Sequence, residues 1–376
     1  MSMRCAAAAA ALALLAGCSS WFTSSRPKPA ELPQLAETRE AKVLWTASVS
    51  GGERFIFRPA VTADAVYASG RDGTVARFDA ATGKEVWRAA TGTPLSAGTG
   101  AGATTVAVAT EEGEVIALDA KDGKERWRAR VSSEVLASPA VGSGLVLVRS
   151  VDNRVFAFGE SDGRRRWVYQ RSPSSLIVRA PAGMAMDRET AYVGFSGGKL
   201  AALALSNGGV RWEATVSLPK GATELERVTD VVGEPNLQGR EVCVASYQGR
   251  VACYEAASGR QLWGRELSSL SGVGLDARYA YVTDDKDAVH ALDRTNGRSV
   301  WKQDRLSVRR VSQPLPVGAV AVVGDFEGYV HFLARETGAF VGRYATGGGA
   351  VRAAPVPLGD GFLVQTLNGG LFALAP

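Results

Sequence analysis

Two histidines, His290 and His331, and two cysteines late in the chain, Cys243 and Cys253, are the side chains best suited to chemistry. A Ser/His/Asp triad or a three-ligand zinc site needs a histidine in a setting of its own. Both histidines instead follow a valine, Val289 or Val330, at one repeated position, which fits a packing or surface role. Asp79, Asp119 and Asp293 recur in the same way, each just before a glycine turn, where a carboxylate accepts backbone amides. The pattern predicts no catalytic residue, no metal and no cofactor.

The cysteines stand ten residues apart. A three-residue turn through Tyr247, Gln248 and Gly249 puts them opposite each other on paired strands. A two-residue turn puts them on opposite faces of the sheet. The segment fits either turn.

The elements that carry these residues repeat. Trp45, Trp87, Trp127, Trp167, Trp212, Trp263 and Trp301 lie 42, 40, 40, 45, 51 and 38 residues apart. Gly73, Val75, Phe78, Asp79, Thr82, Gly83, Lys84 and Trp87 form one copy of the phrase around them. Gly113, Val115, Leu118, Asp119, Asp122, Gly123, Lys124 and Trp127 form the next. In a seventh copy Gly342 replaces the tryptophan.

Each copy reads as four short strands joined by glycine turns, with Gly73 and Gly83 supplying positive φ angles. A unit of about 40 residues cannot bury both its faces alone, so copies must stack around an axis. The tryptophans are expected between neighbouring blades. The last copy, from Arg352, lacks a fourth strand, while the strand around Trp45 has no blade of its own. Pairing the two removes both open edges. The expected fold is all-β, an eight-bladed β-propeller over residues 42–376 with four antiparallel strands per blade, closed by the strand around Trp45.

Before the propeller, a charged start and the apolar run Ala6 to Ala16 lead to Leu15, Ala16, Gly17 and Cys18. The run is too short to span a bilayer and reads as an export signal over residues 1–17. Its cleavage context resembles a bacterial lipoprotein signal. That resemblance implies acylation of Cys18 and, because Ser19 follows, retention at the outer membrane. Residues 18–41, rich in Ser, Pro, Glu and Lys, read as a flexible tether. The formal charge of +5 is spread among acids, which gives no concentrated basic face for nucleic acid.

In such a ring the blade-to-blade connectors and the hairpins between second and third strands share one rim. The connector from Trp212 to Pro235 spans 23 residues against 12 to 14 for three others, and added length on a rim signals function. Arg309, in the connector before blade seven, is expected to be a surface position with no part in partner contact.

The Gly and Trp repeat resembles that of the pyrroloquinoline quinone propellers. Their enzymes use a calcium-bound quinone and often a disulfide between adjacent cysteines, which this chain lacks. The lipoprotein signal, the repeats, the connectors that carry Leu176 to Arg179 and Thr223 to Asp230, and Gly324, Asp325, Glu327, Gly328 and Tyr329 resemble the BamB family of the β-barrel assembly machinery. That resemblance implies a non-enzymatic scaffold at the periplasmic face of the outer membrane. It implies docking on the POTRA domains of BamA and an offer of strand edges to unfolded outer-membrane proteins. The family's contact pattern falls on Leu176, Val178, Arg179 and Asp230, and Val232 stands where a second acid is expected. A quinone-dependent periplasmic enzyme and a polysaccharide-binding propeller are the rival expectations.

Overall fold

The computed structural model describes residues 27–35, 41–172 and 176–376; the signal residues 1–17, Cys18 and Trp21 lie outside them. The described strands form eight sheets of four antiparallel strands. Seven sheets take their strands in chain order. Blade one, for example, runs Ala60–Val61, Ala65–Ser69, Thr74–Asp79 and Glu85–Ala90 from the axis outward. The eighth joins three C-terminal strands to Lys42–Ser48, with Val43 opposite Leu374 and Ala47 opposite Leu371. Each innermost strand touches the next around the circle, including the first and last. The expected ring and its closure are both present.

The second and third strands of each blade are buried on both faces because a neighbouring blade covers each side. This explains their runs of Val, Ala and Leu, which do not alternate with polar residues. Eight apolar clusters result, each bridging blades.

The tryptophans lock the blades in sequence. Each indole Nε1 donates to a carbonyl of the following blade at 2.6–3.1 Å, from Trp45 to Ala80 through Trp301 to Arg335. Each ring lies on the glycine of the turn it meets. A Cβ on Gly83 would sit 2.5 Å from Trp45, and Gly83 also has φ +69°. The glycine is required twice over, by its backbone and by the ring against it.

Gly342 follows from the same geometry. The receiving glycine belongs to the turn between third and fourth strands, and blade eight has no such turn because Lys42–Ser48 is its fourth strand. Aromatic pairs fill this last interface instead, Phe332 with Phe362 and Tyr344 with Phe372, each at 6.0 Å.

Residues 27–35 depart from a free tether. The Ala30 amide donates to the Ser307 carbonyl at 2.9 Å, and Pro33 is buried. An extended, proline-punctuated segment leaves its carbonyls unpaired, and arginines of blade seven meet them.

Candidate functional site

The rim that carries the connectors holds the candidate site. Between blades three and four, Leu176, Ile177 and Arg179 are exposed. Between blades four and five, the long connector makes one turn with a capping pair. The Thr223 hydroxyl accepts the Glu226 amide at 3.2 Å, and Glu226 accepts the amides of Ala222 and Thr223 at 2.9 and 3.1 Å. This reciprocal cap holds up Leu225, which is 71% exposed, while Leu218 is exposed at the base. The Thr-x-x-Glu spacing was the available signal for this turn. Leu218 and Leu225 are thus two large apolar side chains held out in solvent on this rim.

Asp230 differs from the expectation of an exposed contact: it is 5% exposed. Its Oδ2 accepts the Val178 amide at 2.6 Å and its Oδ1 accepts the Gly197 amide at 3.1 Å. One carboxylate therefore pins the connector bearing Leu176 and Arg179 to the hairpin of blade four. Burial pushes its pKa up, against the two amides and the charge of Arg149, which lower it. Arg149 is itself half-buried, and desolvation brings its pKa down to about 10. Val232, where the family resemblance leads one to expect an acid, is buried too.

Arg179 reaches across blades. Its Nε donates to Glu134 at 3.2 Å, its Nη2 also bonds Glu134, and it lies 3.5 Å from Glu111. Arg54 and Arg71 bond the same Glu111, and all three guanidinium groups lie within 6 Å of the buried Phe55 ring. The cluster draws on blades distant in sequence, which left no signal in the chain. Opposite blades meet as well: Arg58 Nη1 of blade one pairs with Glu234 Oε2 of blade five at 2.8 Å, across the centre of the ring.

The chemical candidates are satisfied inside the repeat. His290 Nε2 meets Asp284 Oδ2 at 2.9 Å, and His331 Nε2 meets Asp325 Oδ2 at 3.0 Å. The Oδ1 atoms of Asp79, Asp119 and Asp293 accept the amides of Thr82, Lys121 and Thr295 at 2.8–2.9 Å. Cys243 and Cys253 face each other across paired strands with Cα atoms 4.1 Å apart and form a disulfide. The three-residue turn is the one present. Among the described residues no group of three His, Cys, Asp or Glu side chains could hold a metal. No described helix is long and apolar enough to cross a membrane.

Arg309 is the second correction. It is 2% exposed, with its Nε on Asp325 Oδ2 at 2.8 Å and an Nη2 bond to Glu327. Its partners lie 16 and 18 residues on, in the next hairpin, so the connector's own sequence does not signal the burial.

A family model described as outer membrane protein assembly factor BamB matches residues 34–87 and 71–303. The BamB of Bordetella pertussis is 44% identical over 96% of this chain and 94% of its own length. That of Pseudomonas aeruginosa is 45% identical over 98% and 97%. Among solved structures, BamB from Moraxella catarrhalis superposes with a TM-score of 0.82 at 24% identity, covering 90% of this chain and all of that one. The quinohemoprotein alcohol dehydrogenase of Comamonas testosteroni reaches 0.72 at 14% identity, covering 89% and 76%, a likeness of fold alone.

Proposed function

Because the chain belongs to the BamB family of outer membrane protein assembly factors, we propose that it is a non-enzymatic scaffold lipoprotein, held on the outer membrane by Cys18 and docked on BamA. The observation that carries the reading is the rim itself: Leu176 and Arg179 stand exposed on a connector that the buried Asp230 pins in place. A pinned backbone presents its side chains at little further cost in conformational entropy. Arg179 offers a planar fork of donors beside apolar neighbours, the composition of interface hot spots. The POTRA domains of BamA are the partner, and the exposed strand edges of the disc are open to unfolded outer-membrane proteins.

A quinone-dependent enzyme is less well supported. The Arg58–Glu234 pair crosses the centre of the ring, where a cofactor on the axis would sit. The cysteines are also joined across strands and are not adjacent.

The test is capture of partners from solubilised envelopes, read by mass spectrometry. BamA is expected as the main partner, and its absence while other envelope proteins are captured contradicts the reading. In parallel, Cys18→Ala protein is expected to leave the outer-membrane fraction on a high-salt wash. Retention there contradicts the anchor, since several acyl chains at about 0.8 kcal/mol per methylene are what would hold it.

A further inference from the structure

We propose that blade seven carries a receptor for the chain's own proline-rich segment, residues 27–34, and that this dock fixes where the membrane anchor leaves the disc. The inference rests on the reading of Cys18 as the lipid anchor.

The receptor is built from the inside outward. Asp325, fully buried at the hairpin of blade seven, accepts His331 Nε2, Arg309 Nε and the amides of Glu327 and Tyr329. His331, 0% exposed, in turn accepts Arg343 Nε on its Nδ1 at 3.2 Å. These bonds aim two guanidinium groups at one groove. Arg309 Nη1 donates to the Ala30 carbonyl at 3.0 Å, and Arg343 Nη2 donates to the Pro33 carbonyl at 3.0 Å. The Ala30 amide bonds Ser307, so three bonds within four residues hold the segment, and Pro33 is buried.

The connector that receives it is shaped for the purpose. Val308 and Arg310 both have positive φ, 61° and 52°, on either side of Arg309. A β-branched residue in that region is a genuine outlier, and such conformations persist where the surroundings hold them. Here the Asp287 carboxylate accepts the amides of Arg310 and Val311 at 3.0 and 2.8 Å. The sequence of the segment suits the site. Pro27, Pro29 and Pro33 favour an extended chain without internal hydrogen bonds, whose carbonyls stay available.

The consequence is geometric. Pro27 follows Cys18 by nine residues, a reach of at most about 30 Å however they are arranged. Without the dock the first fixed residue is Lys42, 24 residues on, with a reach of about 80 Å. The dock therefore brings the rim at blade seven close to the bilayer. It leaves the connectors around Leu176 and Leu225, three and two blades away from the Arg309 connector, free for a partner.

The test uses the full lipidated chain. With Cys18 acylated and Cys243 bonded to Cys253, Glu31→Cys supplies the only free thiol of the mature protein for a spin label. An immobilised label is expected, with Ala30 amide exchange slowed about tenfold or more. Arg343→Ala should release both. Replacing residues 28–34 by Gly and Ser at equal length, with Cys kept at 31, should do so without touching the propeller. A label as mobile in the native segment as in the Gly/Ser one, on a folded propeller, overturns the dock. Fluorophores at Arg305 and Lys220 then report orientation on vesicles carrying a headgroup quencher. Stronger quenching at 305 is expected, lost with the Gly/Ser segment, and equal quenching in the native chain overturns the orienting role. Failure of the anchor reading looks different: no vesicle binding at all, with the label still immobilised.

Discussion

Two connectors on one rim are held by the same device and serve opposite ends. Between blades three and four, Asp230 accepts the Val178 amide, and the arginine that follows, Arg179, is left half-exposed on Glu134 and Glu111. Between blades six and seven, Asp287 accepts the Arg310 and Val311 amides, and the arginine, Arg309, is buried on Asp325. In both, a carboxylate fixes backbone where the sheet offers no partner, Asp230 buried and Asp287 half-buried. Where the arginine points outward the connector can meet another protein, and where it points inward the chain's own segment covers it. The lesson is that an arginine in a connector declares nothing until its carboxylate is located.

The largest expected effect breaks the inward case. Asp325→Ala removes the acceptor from Arg309 and His331 together and leaves buried groups unpaired. Such a change typically costs about 3–5 kcal/mol. A urea titration should show the loss, and a midpoint unchanged from wild type would mean that the cluster is incidental. The outward case should yield less. Asp230→Ala frees two amides at about 1 kcal/mol each, so stability should fall by roughly 2 kcal/mol and Val178 amide exchange should quicken. If Val178 stays as protected as before, Asp230 does not hold the connector.

Acid should separate the two regions more gently. Burial lowers the pKa of His331, against the pull of Asp325, and its Nδ1 already accepts Arg343. As pH falls below the ordinary histidine value of about 6.5, the unfolded chain takes up a proton that the folded one refuses, so blade seven loses stability. Asp325 lies in burial that would raise its pKa, but its bonds to His331 and Arg309 hold it below the usual value. Its contribution is present above that value and is lost as pH falls through its own. Asp230 has the opposite sign: its pKa is raised, so acid relieves a charge and does not expose one. Hydrogen exchange corrected for intrinsic rate, compared at neutral pH and about one to two units below, should show the Tyr329 amide losing protection while Val178 keeps it. Parallel loss at both would erase the distinction.

The ring was legible because its signals are local and repeated. Trp45 and its fellows mark outer strands, the turn glycines receive them, and even the exception at Gly342 follows from the missing turn in blade eight. The site was legible only in part. Leu176 and Arg179 are exposed as the connector pattern suggests, whereas Asp230, Val232 and Arg309 are buried. No spacing along the chain records that. The disulfide waited on a single turn, which Tyr247, Gln248 and Gly249 make three residues long.

The central claim, that the pinned connector is the partner surface, is tested most directly by titrating BamA POTRA domains against three proteins. These are the native chain, Arg179→Ala and Arg164→Ala, whose side chain is exposed on the opposite rim. Removing a central arginine typically costs about 2 kcal/mol, a roughly thirtyfold loss of affinity. Arg179→Ala should show that loss, with Arg164→Ala unchanged and circular dichroism identical for all three. Equal affinity for all three folded proteins would contradict the account.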